Sequence, residues 1–459
     1  MVGIGGEGMS GLASILLKRG VCVSGSDLKT NRHTDTLRQA GVTIHSAHAA
    51  SNVQPEHDRV IISSAIRSDN EEVLAAEQLG IPIVRRLHAL SSVIGERRSI
   101  GIAGTHGKTT VTAMTATILR ELAEDPSFLI GAHCESLGGN AYDGCGDWFV
   151  AEIDESDGLF TSVRPTVAVL TNIGKDHLQT YRTVDDIDAA FRTYVKGARH
   201  AVLGIDDPRV RAIAESSCGG FTVGCHPRAR LRASHVRYAG FRTSFTLKLD
   251  GRTVARVTLP APGQHNVRNA LCALGAAAVT GMDLRAACRA LGSFGLPHRR
   301  FELLEENGVT VVDDYAHLPE EVAASLRAIR TGWPGRRIVV VFQPHRYTRT
   351  QTLGQEFAAS FDLADIAVVT DIYPASEAPI EGVSASTVAD AVARVSHVDA
   401  RWVPEKPDVV EFLKTSIRPG DFIISFGAGD VWKITQELSE FLIAGEFRFA
   451  ESPQPVCSR

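Results

Sequence analysis

SIGIAGTHGKTTVTAM, residues 99–114, passes from an apolar run through a glycine turn into a helical pattern. Ile100-Gly101-Ile102-Ala103 reads as a short buried strand and Lys108-Thr109-Thr110 as the start of a helix, with Gly104-Thr105-His106-Gly107 as the tight turn between them. Such a turn aims backbone N–H groups at an anion, and the helix N-terminus adds the positive end of its dipole. Lys108 supplies a point charge for the β/γ-phosphates of a nucleotide, and a threonine hydroxyl can ligate Mg²⁺. The usual phosphate loop has glycine six positions before the lysine; here that residue is Ile102, so this is a variant loop.

Upstream, MVGIGGEGMSGLA (residues 1–13) is again strand, glycine turn and helix. Gly3, Gly5 and Gly8 match G-x-G-x-x-G, and Asp27 follows the strand Val21–Ser24 as a ribose-binding acid would. Alone, this is also the pattern of a merely structural turn. The first strand is short: either the natural start lies upstream or the strand is trimmed. Strands over 42–44, 59–62 and 81–84 alternate with helical patterns, which predicts a doubly wound domain over 1–98. Ser64 lies just past one strand end and Arg86 past another, where open sheets bind ligands.

Downstream, a second block runs over 99–295. Asp147–Glu152 and Val167–Asn172 are buried strands ending in polar clusters, Glu152 to Asp157 and Asn172 to His177. Acids and a histidine at strand ends beside a phosphate loop are placed to hold Mg²⁺. Alternation from Arg230 to Thr258 predicts antiparallel hairpins turning at Asp250-Gly251. His265 and Asn269, four apart, share one helical face. A third block, 296–459, repeats the strand–helix alternation and carries Asp313 to His317 and Gln343 to Tyr347 at strand ends, with Arg299-Arg300 at its start.

At 459 residues the chain exceeds one core, and its 44% hydrophobic content is that of folded domains. A net charge of -5 argues against a nucleic-acid partner. The eight cysteines include no CxxC pair and no zinc-like spacing; most are expected to be buried free thiols in a reducing compartment. No apolar run reaches the length of a membrane span and no signal-peptide pattern precedes the first motif, so a cytoplasmic protein with no membrane partner is expected.

Gly104 to Thr110, Glu152 to Asp157, Asn172 to His177, the His265/Asn269 helix, Asp313 to His317 and His345-Arg346-Tyr347 resemble, in that order, the motifs of the Mur ligase family. The resemblance spans nearly the whole chain. It implies an α/β protein of three domains: a Rossmann-like N-terminal domain that binds a UDP-substrate, a central P-loop ATPase domain with a mixed sheet, and a C-terminal Rossmann-like ligase domain. It implies that ATP activates the lactyl carboxylate of UDP-N-acetylmuramate as an acyl phosphate, which an amine then attacks. The form of the motifs points to L-alanine as that amine.

The resemblance also implies roles. Gly104, Thr105, His106, Gly107, Lys108, Thr109 and Thr110 would hold the phosphates, with Thr109, Glu152 and His177 on Mg²⁺. His265 and Asn269 would meet adenine, and Arg300 and Asp314 would complete the nucleotide site. Gly5, Gly6, Gly8, Met9, Ser10, Asp27, Ser64, Arg86, Ser156 and Asp157 would face the sugar nucleotide, and His345, Arg346 and Arg349 the reacting acyl phosphate. Lys108, Glu152, His177 and Arg346 are the expected catalytic set. The chain departs from the family pattern at Glu7, at Gly174-Lys175 and at Leu318, and no carbamylated lysine is assigned near Arg192 and Lys196. Three other readings stand beside this one: a recycling ligase that adds a tripeptide to the same sugar nucleotide, a nicotinamide-dependent oxidoreductase using the first glycine turn, and a binding or regulatory protein with a dead ATPase, against which intact Lys108, Glu152 and His177 count. A homodimer is left open.

Overall fold

The computed structural model describes residues 1–176, 180–216, 219–306, 308–395 and 397–444. They form two compact units: residues 1–237, 241–261 and 265–298, and residues 238–240, 262–264 and 299 onward. No described helix is long and apolar enough to cross a membrane.

The first unit contains two sheets. In the N-terminal one, Val2 bridges in parallel to Ser26 and to Ile62. Ser24–Ser26 pairs with Thr43–His45, and Val60–Ile62 with Ile83–Arg85, all parallel. The chain order across this sheet is therefore 3-2-1-4-5, and it reverses at Val2, immediately before the glycine turn. The first strand is reduced to a bridge. The next one begins at Ser24, three residues later than the apolar residues of 21–24 suggest.

The larger sheet is mixed. Ser127–Cys134, Trp148–Glu152, Arg98–Ala103, Val167–Leu170, His200–Gly204, Phe221–Gly224 and Leu231–Ala239 are neighbours in that order and parallel. Gly139–Tyr142 adds antiparallel at one edge. The pair Arg242–Leu249 and Arg252–Leu259, antiparallel, closes the other, turning at Asp250 (φ 47°) and Gly251 (φ 83°) as the sequence predicts. One apolar layer on this sheet includes Val111, Met114 and Ile118 of the helix Lys108–Glu121. A separate layer joins Phe160, Phe191 and Tyr194 to Met9 and Leu12 of the helix Glu7–Lys18. The strand that feeds the phosphate loop is interior to the sheet and buried from Ser99 to Ala103, so the loop is carried on a strand paired on both sides.

The second unit has a sheet ordered Glu302–Glu306, Thr310–Asp314, Phe422–Phe426, Ile338–Phe342, Ile366–Val369, Asp399–Trp402. Only the first pair is antiparallel. Asp314, Phe426 and Phe342 are in register, so the turns that follow them open at one end of this sheet.

Candidate active site

Register explains how the phosphate loop is built. Ile102 lies opposite Glu152, and Ala103 opposite Leu170, so the loop emerges between the ends of those two strands. Asn172 clamps it: its Oδ1 accepts the His106 N–H at 2.8 Å and its Nδ2 donates to the His106 carbonyl at 2.9 Å. Thr171 Oγ1 also donates to that carbonyl, at 2.8 Å. The Gly174 N–H donates to Thr105 Oγ1 at 2.7 Å. Gly104 (φ 131°) has no room for a side chain against Thr171, nor Gly107 (φ 82°) against Asn269. The helix Lys108–Glu121 starts at Gly107 with no side-chain cap, which leaves its N-terminus to an anion.

Lys108 is folded back onto its own loop. Its Nζ donates to the carbonyls of Gly104 (2.7 Å) and Thr105 (3.2 Å) and to Glu155 (2.9 Å). Burial opposes its charge, but Glu155, Asp154 and Glu152 outweigh it and hold the ammonium above its ordinary range. Burial pushes the Glu155 carboxyl up to about 7, against the pull of Lys108. Tyr181 fixes the Glu155 main chain, donating to its carbonyl at 2.6 Å. Glu155 lies within the cluster Glu152 to Asp157 read from the sequence, where Glu152, Ser156 and Asp157 are assigned roles and it is not. Its partner lies 47 residues away, and no local pattern encodes that.

Glu152 is half-buried at its strand end, where Oε2 accepts the Gly131 N–H at 2.9 Å. Thr109 is buried in the first turn of the loop helix. Both offer hard oxygen, the donor type Mg²⁺ takes. His177 lies outside the described residues; among those described, no group of three His, Cys, Asp or Glu forms a metal cluster. Asn269 comes up against Gly107 and donates to Asn266 Oδ1 at 3.2 Å, and His265 stands one helical turn before it.

At the first glycine turn, Asp27 is already engaged: its Oδ2 accepts the Gly5 N–H at 2.8 Å. In the structure the acid braces the turn. Glu7 is likewise held, by His33 Nε2 at 2.8 Å and Asn140 Nδ2 at 3.1 Å. Met9 is 1% exposed inside the apolar core, so its side chain cannot meet a sugar nucleotide; the 3.6-residue period of the helix turns it inward. Ser10 is also buried, bonded to the Glu7 carbonyl. Ser64 is exposed, and it is Ser63 that lies beside Gly3. Gly8 and Arg86 do meet, since a Cβ on Gly8 would stand 2.6 Å from the Arg86 guanidinium. Arg86 donates to Asp154 at 3.2 Å, a second acid the sequence did not single out. Asp154 also accepts the Ser156 N–H, and Asp157 that of Leu159, so both residues shape the acidic turn.

The second unit carries its own cluster. Asp314 is buried, accepts from Ser325 Oγ at 2.6 Å, and is pushed up to about 6 by burial despite Ser325 and Arg300. Arg300 lies 5.0 Å from the Tyr315 ring centroid. Its neighbour Arg299 is the structural one, bonded to Asp313 at 2.7 Å and to the carbonyls of Gly427 and Gly429. His345 stacks on Tyr373 and meets His317 edge-on. Arg349 stands 3.1 Å from His345 Nδ1. Arg346, at φ 69°, has its guanidinium 4.0 Å from Glu377. Leu318 is buried ahead of the helix Pro319–Gly332, where apolar packing accounts for it.

A lysine-bearing phosphate loop between strand ends rich in acids, on a mixed sheet, defines an ATP-using P-loop enzyme. Residues 1–98 match the Mur ligase family, catalytic domain; 102–277 match the Mur ligase middle domain; 299–429 match the Mur ligase, glutamate ligase domain. The chain belongs to the Mur ligase family. It is 41% identical to the UDP-N-acetylmuramate--L-alanine ligase of Pelobacter propionicus over 96% of this chain and 97% of that one. The UDP-N-acetylmuramate-alanine ligase structure from Thermotoga maritima aligns with a TM-score of 0.84 at 29% identity, covering 97% and 98%. A murein peptide ligase from Psychrobacter arcticus aligns at 0.70 and 25%, covering 96% and 98%.

Proposed function

We propose that this protein is an ATP-dependent ligase that joins L-alanine to the lactyl carboxylate of UDP-N-acetylmuramate in peptidoglycan precursor synthesis. A carboxylate oxygen attacks the γ-phosphorus of ATP, the bond to the β-γ bridging oxygen breaks, and ADP leaves. The alanine ammonium first loses a proton to solvent; its amine then attacks the acyl carbon, phosphate departs with the C–O electron pair, and the second nitrogen proton goes to the departing phosphate. Both steps demand alignment and charge neutralisation more than covalent help. Lys108 and the uncapped helix N-terminus neutralise the phosphates. Thr109, Glu152 and His177 would hold Mg²⁺, which when bound shields phosphate charge. Arg86, set by Asp154 against Gly8, takes the diphosphate of the sugar nucleotide. His265 and Asn269 serve adenine with Arg300 and Asp314, and His345, Arg346 and Arg349 the acyl phosphate. ATP dependence and the free thiols among the described cysteines support a cytoplasmic setting.

The observation that carries this reading is the near full-length likeness to alanine ligases. The greater structural similarity to the alanine enzyme than to the peptide ligase favours one amino acid over a tripeptide. The oxidoreductase reading leaves Lys108 and its acids without a task. The test is kcat/KM for L-alanine, glycine, L-serine and an alanine-led tripeptide with ATP and sugar nucleotide saturating. L-Alanine should lead, with glycine slower by roughly 10–200-fold for want of one methyl. A tripeptide that outpaces L-alanine overturns the assignment.

A further inference from the structure

The end of the central sheet away from the phosphate loop carries a cleft of about 600 Å³. Arg98 and His200 open two of the parallel strands that converge there, and Val167 opens the strand between them. Around these lie Arg164, Arg199, Trp148 and Thr166. No carboxylate lines this cleft, and none of Arg98, Arg164, Arg199 or His200 forms an ion pair among the described residues. Elsewhere in the same unit Arg19, Arg97, Arg209, Arg228 and Arg230 each face a carboxylate.

Two of the cations are held in place. Arg98 lies over the buried Trp148 ring, 4.1 Å from its centroid. Arg164 donates to the carbonyls of Thr161 and Val163 and fills the space that Gly197 leaves by lacking a side chain. A second hollow of about 490 Å³ shares Arg199, His200 and Val279 and adds Lys196. Like charges gathered in a concavity without counter-charge raise the local concentration of anions. The Thr166 side chain adds a hydroxyl at the wall, whereas that of Thr280 donates to the Ala276 and Ala277 carbonyls.

We propose that this cleft is a second anion site, distinct from the phosphate loop, that takes a small molecule bearing adjacent phosphates, a diphosphate or a longer polyphosphate. Two joined hollows sharing a basic wall suit two linked phosphates better than one. The strand Arg98–Ala103 separates it from Gly104 by six residues, on the order of 20 Å of extended chain. One bound nucleotide's phosphates cannot occupy both ends.

The probe is inorganic pyrophosphate, titrated calorimetrically into the full chain carrying Lys108→Ala, which weakens the phosphate loop. Binding should persist there and weaken at least tenfold when Arg98→Gln and Arg199→Gln are added. Orthophosphate should bind at least tenfold more weakly than pyrophosphate. Should the triple variant fail to fold, Arg199→Glu in the Lys108→Ala background, changing one exposed side chain, must give the same loss. Affinity unchanged by the arginine substitutions, or no binding at millimolar pyrophosphate, overturns the proposal. So does a single-stranded oligonucleotide that binds more tightly than pyrophosphate through the same arginines.

Discussion

The first unit contains two strand–glycine–helix turns of nearly identical outline and opposite electrostatics. At residues 3–8 the turn meets carboxylates: Asp27 accepts the Gly5 N–H, and Glu7 occupies the first turn of the helix. At residues 104–108 it meets a cation, and the acid that answers Lys108 comes from a strand end 47 residues away. Glycines decide only that the backbone can turn tightly; the charges seated on the turn decide whether phosphate is welcome there. The first turn is braced by its own acid and has Arg86 brought beside Gly8, while the second carries its own lysine; in the proposed function these are the cations that would meet the sugar nucleotide and ATP.

The sharpest way to break this contrast is Lys108→Ala. Losing one preorganised charge from a transferring phosphoryl group should lower kcat by about 10²–10³, with Tm unchanged. Phosphate release within tenfold of the parent would remove the loop from the chemistry. Gly8→Ala acts on the other turn: its methyl displaces Arg86, so KM for the sugar nucleotide should rise roughly tenfold, about 1.4 kcal/mol. KM for ATP should stay put, and a parallel rise in both would show that the turns are not separate.

Glu155→Gln removes the carboxylate that competes with ATP for Lys108. KM for ATP at pH 8 should fall about three- to tenfold. A pH series checks the same residue. With its carboxyl raised from 4.5 to about 7, the native protein holds a proton that the unfolded chain has lost between those values. The parent therefore loses stability as pH rises through that window, and the glutamine variant does not. Tm of the variant minus that of the parent should become more positive from pH 5 to pH 8; a flat or falling difference contradicts the raised carboxyl. The smallest effect belongs to Asp27→Ala, which strands the Gly5 N–H and should cost about 1 kcal/mol by denaturant unfolding. Asp27→Asn, keeping an acceptor, should restore most of it.

Much of this was legible because the signals are local. The strand ends at Glu152, Asp314 and Phe426 fall where the apolar runs stop, and the hairpin at Asp250-Gly251 turns as its residues require. What sequence left out often lies one position from what it named. It named Ser64 and Arg300, and the structure adds Ser63 set against Gly3 and Arg299 buried in bonds to Asp313 and two glycine carbonyls. Neighbouring residues at a strand or turn point to opposite faces, so composition identifies the pair but not the member. Strand Ser127–Cys134, beside Glu152, also went unseen. Its burial comes from sheet neighbours, and its Ser, Gly and His residues blur the apolar pattern.

The sequence by itself determined the strand–helix alternation, both glycine turns, the lysine and the family, because turn chemistry and hydrophobic period act over a few neighbouring residues. Only the tertiary structure decided that Glu155 answers Lys108, that Asp154 aims Arg86 and that Asp27 is spent on its own turn. Those pairs span 47, 68 and 22 residues. The first and last exist because paired parallel strands end at the same level, and the second joins residues that follow strands of two different sheets; such placement belongs to the folded sheets, not to any segment of the chain.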